Sequence, residues 1–133
     1  FENSGQNMNT IKDTIIENRT CGYIRLDSIF PNCETKTTIL DFPQGSEIYL
    51  EMDYKSDSSS FIVGLQSNYF NDTIKDPIMD IFPKSEWNKI YIDLTSTISE
   101  GLGAESFKVF IGATRDTLEM NTIFLDNLKV VYL

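Results

Sequence analysis

Glu51 and Asp53 stand two residues apart in the run Tyr49-Leu-Glu-Met-Asp-Tyr-Lys55. In an extended chain, residues i and i+2 share a face and lie roughly 7 Å apart. Two carboxyls at about that separation suit inverting glycoside hydrolysis, with one as acid and the other as base. That chemistry also needs one acid kept protonated by burial, and nothing in the run specifies it. The same residues have a second use. Tyr49 shares their face. Tyr91 and Asp93 take equivalent positions in Trp87-Asn-Lys-Ile-Tyr-Ile-Asp-Leu94, and Phe110 does so in Phe107-Lys-Val-Phe-Ile-Gly-Ala113. If these three runs belong to one sheet, their rings and carboxylates make a platform. Sugar C–H faces stack on the rings, and sugar hydroxyls find acceptors in Glu51, Asp53 and Asp93. The plainer alternative is that Tyr and Phe are simply good strand formers.

Further residues invite a role. Tyr69 and Phe70 are adjacent in the polar stretch Asn68-Tyr-Phe-Asn-Asp-Thr73. Both are hard to bury at once, so one ring is expected to meet solvent and a ligand or partner. Trp87, the only Trp, opens a strand beside Pro83 and is expected to plug one end of a core rather than to serve as a platform. Cys21 and Cys33 permit one disulfide in an oxidising compartment, or stand as two separate thiols; spacing does not decide.

Composition removes other chemistries. The chain has no His, so Ser-His-Asp and Cys-His sites are impossible within it, and zinc is disfavoured with only two Cys. Twenty Asp and Glu outnumber eleven Lys and Arg, for a net charge of −9. No basic stripe is present to neutralise phosphates, which argues against nucleic acid and anionic membranes. Polar neutral ligands remain. No apolar run approaches the roughly 20 residues that cross a bilayer. The start at Phe1 rather than Met suggests a trimmed product with a targeting segment upstream. A length of 133 residues suits one domain, 1–133, with one core.

The elements that must position these residues are strands. Alternation of apolar and polar residues recurs over 20–27, 47–55, 61–66, 87–94, 107–113 and 123–133. Residues 37–42 and 77–82 add shorter runs, the latter an edge strand because of its flanking prolines. Residues 1–19 read as irregular and extended. Residues 28–36, 67–76 and 95–105 read as loops. About eight strands with turn signals between them point to an all-β, antiparallel two-sheet sandwich. Its expected core is Ile48, Leu50, Met52, Phe61, Val63 and Leu65, joined by Ile90, Ile92, Leu94, Phe107, Val109 and Ile111.

The order Trp87-x-x-Ile-x-Ile-x-Leu94, then Phe107-x-Val-x-Ile111, then Leu125-Asp-Asn-Leu128 carries a resemblance, with Tyr49–Lys55 and Phe61–Leu65 before it. It is similar to the β-sandwich domains of Bacteroidetes surface lipoproteins, which resemble galactose-binding-like and carbohydrate-binding-module jelly rolls. The resemblance covers roughly residues 37–133. It implies a jelly roll on a secreted or outer-membrane-associated protein, lipid-anchored upstream, that binds a glycan or a surface protein without catalysis. The resemblance also suggests a structural calcium on Glu2 and Asp126, with Asn3 and Asn127 as further oxygens. Calcium needs six or more oxygens, and two acids alone do not supply them. The alternative is a solvated N-terminus and an ordinary strand-end Asp.

Overall fold

The structure is a computed structural model that describes residues 2–3, 12–16, 19–29, 31–37, 39–42, 45–115 and 121–133, with side chains described from Gly22 onward. Ten strands are described: β1 (Glu2–Asn3), β2 (Lys12–Ile16), β3 (Arg19–Leu26), β4 (Asn32–Lys36), β5 (Ile48–Ser56), β6 (Phe61–Asn68), β7 (Thr73–Ile81), β8 (Lys84–Asp93), β9 (Ser106–Thr114) and β10 (Asn121–Tyr132). One short helix, α1 (Thr95–Glu100), lies between β8 and β9. The strands form two five-stranded sheets with every pairing antiparallel. The first has the order β1-β4-β9-β6-β7 and the second β2-β3-β10-β5-β8.

The alternation in the sequence is what drives the two sheets together. Ile48, Leu50, Met52 and Tyr54 from β5 face Phe61, Val63 and Leu65 from β6, and Phe107, Val109 and Ile111 from β9 complete the same layer. Eleven of the twelve expected core residues are buried; Ile90 is only partly so. Each fully buried side chain of this kind contributes about 1.5–3 kcal/mol of transfer free energy. Tyr54 and Phe61 meet edge to face at 5.4 Å, and the Tyr54 hydroxyl donates to the Phe82 carbonyl at 2.9 Å. A buried phenol thereby keeps its polar end satisfied.

Several expected elements are corrected. Strand β4 runs through a stretch read as a loop, while the described residues of 37–42 form the isolated bridge Leu40↔Phe107 rather than a strand. The inward side of β4 is Cys33 and Thr35, both buried, so it lacks the bulky apolar alternation that marks a strand. Strand β7 is an edge strand as expected but begins at Thr73, and α1 occupies part of the third supposed loop. Extended backbone is confirmed at Glu2–Asn3 and Lys12–Ile16; other N-terminal residues lie outside the described set.

Cys21 lies in β3 of the second sheet and Cys33 in β4 of the first. The side chain of Cys21 lies outside the described residues. Cys33 is a thiol that faces the core, and burial, helped by the neighbouring Glu34 carboxylate, pushes its pKa up to about 11. The thiolate is the reactive form. Cys33 should therefore resist iodoacetamide at about pH 8 in the native protein and react only after denaturation. Mass spectrometry of unreduced samples checks this. Rapid native labelling at Cys33, or no thiol at all in the denatured chain, would contradict it.

Candidate functional site

The structure divides the expected platform between two surfaces. Tyr49, Glu51 and Asp53 on β5, with Tyr91 and Asp93 on β8, share the outer face of the second sheet, in the register Tyr49↔Asp93, Glu51↔Tyr91 and Asp53↔Lys89. Phe110 is not among them. It lies on β9, on the outer face of the first sheet. The three rings therefore form no common groove. Alternation told which way each ring points, but β9 pairs with β4 and β6 rather than with β5 or β8.

On the second sheet, the acids are already engaged. Glu51 is 5% exposed, and its carboxylate accepts from Lys89 Nζ at 3.0 Å, Lys129 Nζ at 2.7 Å and the Tyr91 hydroxyl at 2.9 Å. Asp53 accepts from Asn127 Nδ2 at 2.7 Å, with Lys89 Nζ at 3.9 Å. Asn127 reaches it from a bulge in β10, where its φ of 51° is one that Asn tolerates better than most residues. Asp93 accepts the Thr95 backbone N–H at 2.9 Å; hydrogen bonding from Thr95 holds its carboxyl below the usual range. The Glu47 and Asp93 carboxylates raise the pKa of the Tyr49 phenol. A carboxylate has about four acceptor sites. Three of those on Glu51 are filled from within the chain, so this network ties β5, β8 and β10 together. What it leaves in solvent is the Tyr91 ring, 58% exposed. Trp87, also on β8, is half-buried.

The outer face of the first sheet has a different build. Phe110 lies across Gly64 of β6. A Cβ at Gly64 would stand 2.3 Å from Phe110 Cζ and 2.6 Å from the Asp76 carbonyl oxygen, so only Gly lets the ring settle there. Beside it, a Cβ at Gly112 would meet nothing within 4 Å. Along one border, Gln66 Nε2 donates to Asn68 Oδ1 at 2.8 Å, and Asn68 Nδ2 donates to Ser106 Oγ at 3.2 Å. Lys108 stands opposite Gln66, and Lys36 opposite Phe110. Lys75 of β7 extends over the ring, its Nζ 4.8 Å from the ring centroid, and pairs with Glu34 of β4. Glu34 also lies 3.5 Å from Lys36 Nζ. At the end of the face, the β6–β7 hairpin is closed by the Tyr69 N–H donating to the Asp72 carbonyl at 2.8 Å. Phe70 at its tip is 84% exposed and Tyr69 is half-buried, as the adjacent pair implied.

Gln66, Asn68, Lys75 and Glu34 escaped the sequence reading. Gln66 occupies an outward position of a run whose alternation was legible, and that was the only available signal. Glu2 and Asp126, the suggested calcium pair, fall on β1 of the first sheet and β10 of the second. The Glu2 side chain lies outside the described residues; Asp126 Oδ1 accepts the Asn127 N–H at 2.8 Å. Among the described residues, no three His, Cys, Asp or Glu side chains gather as a metal site.

No protein-family model and no curated protein matches the sequence. Solved structures match in shape. A family 30 carbohydrate-binding module of a cellulosomal cellulase from Clostridium thermocellum superposes with a TM-score of 0.69 at 14% identity, over 98% of this chain and 86% of that one. A family 11 carbohydrate-binding module from the same organism, in complex with a β-1,3-1,4-mixed-linked tetrasaccharide, gives 0.65 at 14% identity, over 97% and 85%. A third, TmCBM61 in complex with β-1,4-galactotriose, gives 0.53 at 13%, over 86% and 71%. The fold of this chain is the two-sheet β-sandwich jelly roll that these carbohydrate-binding modules share.

Proposed function

We propose that this chain is a non-catalytic carbohydrate-binding domain whose binding face is the outer face of the first sheet, centred on Phe110. The observation that carries this reading is the ring laid over Gly64. A two-layer sandwich needs no aromatic on an outward position, yet here a glycine is spent on seating one. Next to it, Gln66, Asn68 and Ser106 form a chain of neutral hydrogen bonds of the kind that sugar hydroxyls can join. The opposite face is less suited, because Glu51 is held by the Lys89 and Lys129 ammonium groups, and a sugar hydroxyl there would have to displace charge-assisted contacts rather than neutral ones. Tyr69 and Phe70 at the rim are the next contacts. The names of the structural neighbours point the same way.

The acidic chain is compatible with a neutral glycan, whose binding does not rest on charge. The same reading places the domain outside the cell, on a secreted or lipid-anchored surface protein. A precursor lacking both a signal peptide and a lipid-bearing cysteine would contradict that placement. A structural calcium is no part of this proposal.

Affinity electrophoresis in native gels cast with soluble β-glucan, xylan, galactan or pectin tests the function. Retardation in at least one gel, relative to a non-binding control protein, is expected. Unaltered mobility in all of them, with no signal on a glycan array, would sink the proposal. A protein-interaction role is the second reading. It is favoured by Phe70, Ile74, Met79 and Phe82, all exposed in or beside β7.

A further inference from the structure

We infer that Lys75 is a built-in competitor for the ligand's place on Phe110, held there by Glu34, and that this pair sets the affinity of the site; the inference rests on the Phe110 face being the binding face. Lys75 and Glu34 stand on strands at either side of β9 and β6, three strand spacings or roughly 14 Å apart. Glu34 is opposite Gly112, and Lys75 is opposite Gln66. Their contact must cross the row that holds Phe110, and the ammonium sits 4.8 Å from the ring centroid. This is the range in which a cation is attracted to an aromatic face. The ring is only 6% exposed, and the Lys75 ammonium lies over it.

A sugar cannot stack on Phe110 while Lys75 lies there. The cover is removable, because the Lys75 side chain is 40% exposed and the Glu34 side chain 26% exposed. When Lys75 leaves, Glu34 keeps Lys36 as a partner, so opening does not strand a carboxylate. Half-exposed ion pairs are weak, at about 0–1 kcal/mol, which corresponds to an effect of up to about fivefold on binding. The pair therefore tunes the site without closing it.

Glu34→Gln and Lys75→Ala each test this by isothermal titration with a β-1,3-1,4-linked tetrasaccharide and by affinity electrophoresis on the polysaccharide that retards the wild type. Both variants should bind about two- to fivefold more tightly than the wild type. Wild-type binding should tighten as salt rises and screens the pair, and that dependence should be lost in both variants. A ligand-free readout accompanies these. In the wild type, the Lys75 ε-methylene protons should show an upfield ring-current shift in NMR spectra, and Glu34→Gln should relax it. Weaker binding in both variants would make Lys75 a ligand contact and overturn the inference. Equal affinity in all three proteins, or no ring-current shift, would also overturn it. If no glycan binds any of the three, the binding face itself is refuted, and the competitor role falls with it even where the ring-current shift is present.

Discussion

Phe61→Ala is expected to destabilise the domain by about 3–5 kcal/mol, a greater loss than truncation of any outward-facing ring should cause. Phe61 is 1% exposed and opens β6, a strand of the first sheet that is paired on both sides. Its loss removes the edge-to-face contact with Tyr54 and opens a cavity between sheets whose backbones are each fixed by pairing on both sides of the strand. Rigid pairing limits how far the walls can collapse, which keeps the cost at the upper part of the range. Small domains have only about 5–15 kcal/mol of stability in total, so the variant should unfold at much lower urea or temperature. A loss under about 1 kcal/mol in urea titration would mean that the core is not packed as described.

The second large effect concerns binding rather than stability. Phe110→Ala should weaken glycan binding by about tenfold or more, since a stacked ring contributes roughly 1 kcal/mol beyond the area it covers. Its effect on folding should be smaller than that of Phe61→Ala, because Phe110 lies on the outer face and outside the core cluster between the sheets. Tyr91→Ala is the matched control on the other face. It removes a ring that is 58% exposed and should leave glycan affinity unchanged. Affinity electrophoresis of the two variants side by side, with melting curves for each, separates the outcomes. Loss of binding in Tyr91→Ala with retention in Phe110→Ala would move the site to the second sheet.

The sequence made some of this legible and hid the rest for physical reasons. Period-two alternation in β5, β6, β8, β9 and β10 records which side chains face the core, because burial acts on each residue of a strand separately. It is silent on which strand lies beside which. That is why Phe110 pointed outward as expected yet belonged to the other sheet from Tyr49 and Tyr91. Strand β4 was missed because Cys33 and Thr35 are small enough to fill its share of the core without a bulky apolar pattern. The engagement of Glu51 depends on Lys89, Lys129 and Tyr91, which meet it only after β5 is paired with β8 and β10. The reach of Lys75 to Glu34 spans 41 positions and two intervening strands, so no local pattern encodes it.

The central claim is that a glycan binds on the outer face of the first sheet. An amide-resolved NMR titration with a soluble β-1,3-1,4-linked tetrasaccharide and β-1,4-galactotriose tests it most directly. Perturbed resonances should map to Gly64, Gln66, Lys108, Phe110 and Gly112, and extend to Tyr69 and Phe70, while Glu51, Tyr91 and Lys129 stay still. Changes centred on Glu51 and Tyr91 instead, or a spectrum that neither these nor any other soluble oligosaccharide moves, would contradict the claim.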